Sequence, residues 1–372
     1  MNLLSYVDKY GNCSFDEMEF NELDNAIFSS LSYIGLHGIV SSNWGDKVTI
    51  REAGDKFFIL HPYKVKYVLA VKQAIKLLKY IKDTKRYGNL YLSNYVYEVS
   101  DEQQFSAVTI EINSRLVYVS FEGTDHLVSG WKEDFMMTYM FPVPSQQKAI
   151  DYVNKYFTFS RKKIILGGHS KGGNLALVSG MYANALVKNR IIKIYNNDGP
   201  GLLREQFDSR EYASIKGKLV TILPGYSFVG ILLYHADNYI VVRTAKKGAA
   251  AHDLHTWVVS DKAFMRTELD SYNKALESEI INWLNKYTRD ERKRFVFAMF
   301  DILKRAHVDS FLEIVNNKKI VLDLINESME LSDVDREMLK DFLGMLFNCF
   351  KDVKVDEIKK KIEKKFGNNV GV

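Results

Sequence analysis

Short apolar runs alternate with longer stretches in which apolar residues recur three and four positions apart. This is the pattern of a sheet with helices packed on it. The clearest predicted strands are 105–112 (FSAVTIEI), 115–121 (RLVYVSF), 162–167 (KKIILG), 191–196 (IIKIYN), 218–223 (KLVTIL) and 238–243 (NYIVVR). Helices are predicted at 22–36, 63–83, 145–157 and 172–187. The first two strands are joined by Asn113-Ser114 and read as an antiparallel hairpin, whereas the later ones, separated by helices, should run parallel. From about residue 267 the pattern changes. ELDSYNKALESEIINWLNKY, DERKRFVFAMFDILKRA, SFLEIVNNKKIVLDLINES and DVDREMLKDFLGMLFNCF are all amphipathic at helical spacing, and Ser332–Asp335 resembles an N-terminal cap.

The chain-breaking residues sharpen this division. All five prolines and 19 of the 22 glycines precede residue 261, so residues 1–262 read as an α/β domain and 263–372 as an all-α one. With 51 Lys+Arg against 46 Asp+Glu, the net charge is only +5, spread over both halves, which argues against a nucleic-acid surface. The basic end VDEIKKKIEKKF could touch acidic lipid or nucleic acid, but a solvated helix face is the better reading. Cys13 and Cys349 have no metal-ligand spacing, no leader-like start occurs, and no run of about 18 apolar residues is present. The expectation is a soluble, cytoplasmic protein without a transmembrane segment.

The sharpest chemical signal is Gly168-His169-Ser170-Lys171-Gly172-Gly173, which matches G-x-S-x-G between a predicted strand and a predicted helix. In that context the turn presents a serine hydroxyl at the strand's C-terminal end, with a helix N-terminus behind it. A serine needs a base, and the base needs a carboxylate to orient it. His235, His252 and His255 follow the serine within the sheet domain; His252, in GAAAHDLHTWVV, is the first choice and His255 the second. Asp198 ends a predicted strand at Asp198-Gly199-Pro200-Gly201, the address for an orienting acid, although a plain turn former would look the same. Asp237 and Asp253 are the alternatives. Oxyanion donors should come from Lys171 and from Thr124 in the loop Phe121-Glu122-Gly123-Thr124-Asp125. The Lys171 side chain either attracts an anionic substrate or is merely solvated. No cofactor or metal motif occurs.

These residues resemble a known group. VYVSFEGTDHLVSGWKEDF at 117–135 and LGGHSKGGNLA are similar to the oxyanion segment and nucleophile elbow of class 3 lipases. More closely, NELDNAIFSSLSYI, GHSKGGNLA, NNDGPG, PGYSFVGILL and HDLHTW together resemble a bacterial family of lipase-like (Mbeg-like) α/β-hydrolases, over roughly residues 1–260. The resemblance implies an α/β-hydrolase core with Ser170 as nucleophile, Thr124 and Lys171 around the oxyanion, and His252 as base. One departure stands out. Where class 3 lipases carry their acid, this chain has Ser227-Phe228-Val229-Gly230, so either Asp198 supplies it, as in pancreatic-type lipases, or the triad is incomplete.

The expected activity is therefore that of a serine esterase or lipase on a small-molecule or lipid ester. Trp131, Phe135, Met136, Met137, Tyr139, Met140 and Phe141 would line the acyl site or, slightly better, face a core. The competing expectation is an inert α/β-hydrolase scaffold whose C-terminal helices dock a protein partner.

Overall fold

Eight strands form one sheet in the order in which they occur along the chain. The computed structural model describes residues 1–43, 45–61, 69–100, 103–124, 128–305 and 331–349. The strands are β1 (Val48–Thr49), β2 (Tyr91–Ser100), β3 (Gln103–Asn113), β4 (Leu116–Phe121), β5 (Lys163–His169), β6 (Ile191–Asn197), β7 (Leu219–Pro224) and β8 (Ile240–Val242). β1 to β4 pair antiparallel and β4 to β8 pair parallel. All six predicted strands are present, including the antiparallel hairpin. β2 was not among them. A register shift between Ser93 and Val96, with Asn94 at positive φ, interrupts its alternation, and its last residues are exposed.

Helices cover both faces. On one side lie α1 (Leu3–Tyr10), α2 (Glu22–Leu31), α3 (Ile50–Leu60) and α4 (Leu69–Ile81); Leu23, Ile27, Phe28, Leu77 and Leu78 pack there on Val108, Tyr118, Ile165 and Tyr195. Between α4 and α6 comes α5 (Val128–Met136), and α6 (Pro144–Phe157), α7 (Lys171–Tyr182), α8 (Ala185–Lys188), α9 (Arg204–Phe207) and α10 (Arg210–Ile215) follow. Right-handed crossovers that step the same way across a sheet leave their helices on one face. So α6, α7 and α10 share the second face, against Val117, Val119, Ile164, Leu166 and Ile194. Alternation along β4 and β5 supplies both faces, as strand geometry requires.

The predicted helix 22–36 stops at Leu31, and 172–187 is split where Ala183 turns extended and Asn184 caps α8. A buried ion pair fastens the first face. Arg86 meets both Asp24 oxygens, at 2.8 and 2.6 Å, and also donates to the carbonyls of Cys13, Ser14, Met18 and Glu19.

Beyond the sheet, β9 (Val259–Ser260) and β10 (Ala263–Phe264) form a small hairpin, and Thr267 N–H still donates to Val241. Then come α11 (Ser271–Lys286), α12 (Arg289–Arg305) and α13 (Asp333–Cys349). Their apolar faces meet Met136, Met137, Tyr139 and Val143, with Trp131, Phe135, Met140 and Phe141 packed against the same cluster. The apolar segment 131–141 thus faces a core shared with the C-terminal helices. The first residues of the helix expected at 63–83, the segment SFLEIVNNKKIVLDLINES and the basic end lie outside the described residues. Among the described residues no helix is long and apolar enough to cross a membrane.

Candidate active site

Ser170 stands between β5 and α7 with φ 58° and ψ −134°, a conformation that costs a side-chain-bearing residue about 1–3 kcal/mol. Neighbours without side chains make the turn possible: a Cβ on Gly172 would lie 2.1 Å from the Phe121 carbonyl oxygen. Ser170 N–H donates to the Asn197 carbonyl at 3.0 Å. Below the turn, the Asn197 amide donates to the Gly168 carbonyl and Ser29 Oγ, and Asn25 donates to Asn197 Oδ1. Nearly all of α7 is buried, and its N-terminus lies directly behind the serine, where a helix favours negative charge.

Asp198 follows β6 at φ 50°, a conformation Asp tolerates better than most residues. It is fully buried. Its Oδ2 lies 2.6 Å from His252 Nδ1, while Oδ1 accepts from Ser227 Oγ at 2.5 Å and Gly230 N–H at 3.0 Å. The stretch 227–230, which carries no carboxylate of its own, therefore holds that of Asp198.

His169, the residue before the serine, ties His252 to the turn. Its ring lies 4.3 Å from that of His252, and Nε2 is 2.7 Å from the His252 carbonyl. A carbonyl only accepts, so Nε2 carries the proton and Nδ1 accepts from Tyr33 Oη at 2.9 Å. Burial holds His169 well below the usual imidazole range, in keeping with this neutral form. Tyr33, just beyond α2, also packs against the loop after β4: a Cβ on Gly123 would meet its hydroxyl at 2.2 Å.

Thr124, on that loop, donates its hydroxyl to Asp134 Oδ2 at 2.6 Å. Asp134 on α5 was not foreseen. Burial, with no hydrogen-bond partner for Oδ1 among the described residues, pushes its carboxyl up to about 6. A folded-state value above the ordinary 3.8 means that the native chain holds an extra proton between the two, so this group's contribution to stability is lost as pH rises through that window. Asp134→Asn should remove that loss, worth roughly 3 kcal/mol. Urea unfolding at pH 4 and pH 7 would measure it; an unchanged pH dependence would contradict it.

The Lys171 side chain meets neither sequence expectation: it is neither solvated nor available to an anionic substrate. It is buried, with Nζ 3.0 Å from Glu133 Oε2 and 2.9 Å from the Gln104 carbonyl. Its backbone N–H is the first of α7, and the opening N–H groups of a helix have no acceptor within it. The remaining alternatives lie elsewhere. His255 pairs with Ser30 Oγ at 2.9 Å, and Asp253 caps the turn carrying His255. His235 faces Glu277 at 3.3 Å, and Asp237 is exposed. Asp125 lies outside the described residues.

No curated protein sequence matches this chain. Among the solved structures that resemble it are M37 lipase and MDLA. M37 lipase is 15% identical, with a TM-score of 0.36 over 71% of this chain and 80% of that one. A mutant of MDLA from Penicillium cyclopium is 11% identical, with a TM-score of 0.36 over 70% of this chain and 86% of its own. The Mbeg1-like family model matches residues 81–301, a span that holds Thr124, the serine elbow, Asp198 and His252. The chain, an α/β protein built on an eight-stranded sheet, belongs to the Mbeg1-like family.

Proposed function

We propose that this protein is a serine hydrolase that cleaves a carboxylic ester through an acyl-enzyme on Ser170. The observation that carries the reading is the line from Asp198 to His252, whose ring lies against that of the residue preceding a serine in a strained strand-to-helix turn. Ser170 Oγ attacks the ester carbonyl while His252 Nε2 takes its proton. Asp198 holds the Nδ1–H form and stabilises the imidazolium. The backbone N–H groups of Thr124 and Lys171 bind the oxyanion at the N-terminus of α7. His252 then protonates the leaving alcohol, and water releases the acyl group by the same steps in reverse.

A fluorophosphonate probe tests the chemistry without knowledge of the substrate. Covalent labelling of the intact chain is expected, and Ser170→Ala should abolish it. Folded protein that does not label, or labels equally well without Ser170, would leave an inert scaffold as the reading.

A further inference from the structure

His169 is the last residue of β5, a strand with neighbours on both sides, and it is buried beside the serine. Both of its ring nitrogens are taken. Nε2–H donates to the His252 carbonyl at 2.7 Å, and Nδ1 accepts from Tyr33 Oη at 2.9 Å. With no nitrogen free to accept the serine proton, it is not a second base. What it holds is the main chain of the first one. The His252 carbonyl ends the short turn Gly248–His252, and the His169 ring ties that turn to the central strand from 83 residues away in sequence.

Two restraints therefore act on His252. Asp198 fixes the ring through Nδ1, and His169 fixes the backbone from which the ring extends. A ring held at one nitrogen alone can swing about that bond, whereas holding the residue at both ends narrows where Nε2 lies. The direction of the bonds is set from the far side. Burial raises the Tyr33 hydroxyl well above its ordinary value, so it keeps its proton and donates it to Nδ1, while its oxygen faces the Gly123 N–H, which works against that rise. With Nδ1 accepting, the proton of the neutral imidazole sits on Nε2, where the His252 carbonyl takes it. The two imidazole rings are 4.3 Å apart, so a charge on His169 would also oppose the imidazolium that the reaction forms on His252.

We propose that His169 is a positioning residue for His252, with its Nε2–H form selected by Tyr33. This rests on the hydrolase reading and adds to it a residue that acts through the base.

Fluorophosphonate labelling, followed in time and to completion, separates positioning from folding. His169→Gln and His169→Met place side chains of nearly the same shape there, and only the amide keeps a donor near the Nε2 position. The Met variant should label about 10²-fold more slowly than wild type, and the Gln variant should recover at least about tenfold of that loss. In both, every molecule should label at one slow rate; a residue that only supported the fold would instead leave a smaller fraction labelling at the wild-type rate. Tyr33→Phe should slow labelling about fivefold and have no further effect in the His169→Gln chain, because it acts through the imidazole. That pair carries the test if the Met variant does not fold. Met and Gln variants that label at the same rate, or a Tyr33→Phe effect as large in the His169→Gln chain as in wild type, would overturn the proposal. If wild type labels and the His169 variants keep its rate, the positioning role alone falls; if folded wild type does not label, the hydrolase reading falls and the role goes with it.

Discussion

Asn in place of Asp198 should slow fluorophosphonate labelling by about 10⁴-fold while the protein stays folded. The two ends of this carboxylate have different neighbours. Oδ1 receives the Gly230 N–H, a group that can only donate, together with the Ser227 hydroxyl. An amide must therefore keep its carbonyl oxygen there and turn its NH2 toward His252 Nδ1. The imidazole would then protonate on Nε2, the nitrogen that has to accept the serine proton. Labelling rates of the two chains, with circular dichroism as a check on folding, measure the effect. A loss below about tenfold would show that Asp198 does not orient the base.

Lys171→Met should lower stability by about 3–5 kcal/mol, because it strands the buried Glu133 carboxylate. Glu133→Gln in the same chain should recover part of the loss, because it removes the stranded charge. Glutamine can still accept from Ser145 N–H through its oxygen and donate to the Gln104 carbonyl that the lysine has vacated, although its NH2 then replaces the oxygen that accepts from Gln104 N–H. Urea unfolding of the two chains gives the comparison. If the single variant were as stable as wild type, the pair would hold nothing together; if the double were no better than the single, the loss would not come from a stranded charge.

The sheet is legible in the sequence where both of its faces are covered. β3 to β7 read as apolar runs because helices bury them on either side, as Tyr118 and Val119 show by facing opposite cores. β2 escapes notice because its ladder is broken near Asn94 and its end is in water. The site divides in the same way. Ser170 and Asp198 are placed by local chemistry, a small-residue turn and a strand-ending Asp-Gly-Pro-Gly, and His252 by its order in the chain. Asp134, Tyr33 and Ser227 acquire their contacts only through tertiary structure, and nothing adjacent to them in sequence marks the role. Lys171 shows the limit most clearly. Beside a serine at a helix start it resembles any solvated lysine, and its partner lies 38 residues away on α5.

One further line of contacts leads out of the site. Asn273 in the first turns of α11 donates to the Ser227 carbonyl at 2.7 Å, and Asp270, which caps that helix, donates its N–H to Gly225. Ser227 is also the residue whose hydroxyl grips Asp198. α11 and the Asp198 carboxylate thus share a short piece of backbone. A shift of α11 would move the backbone that carries the Ser227 hydroxyl to Asp198. A substitution in α11 can in this way reach the Asp198 carboxylate without touching a residue around Ser170.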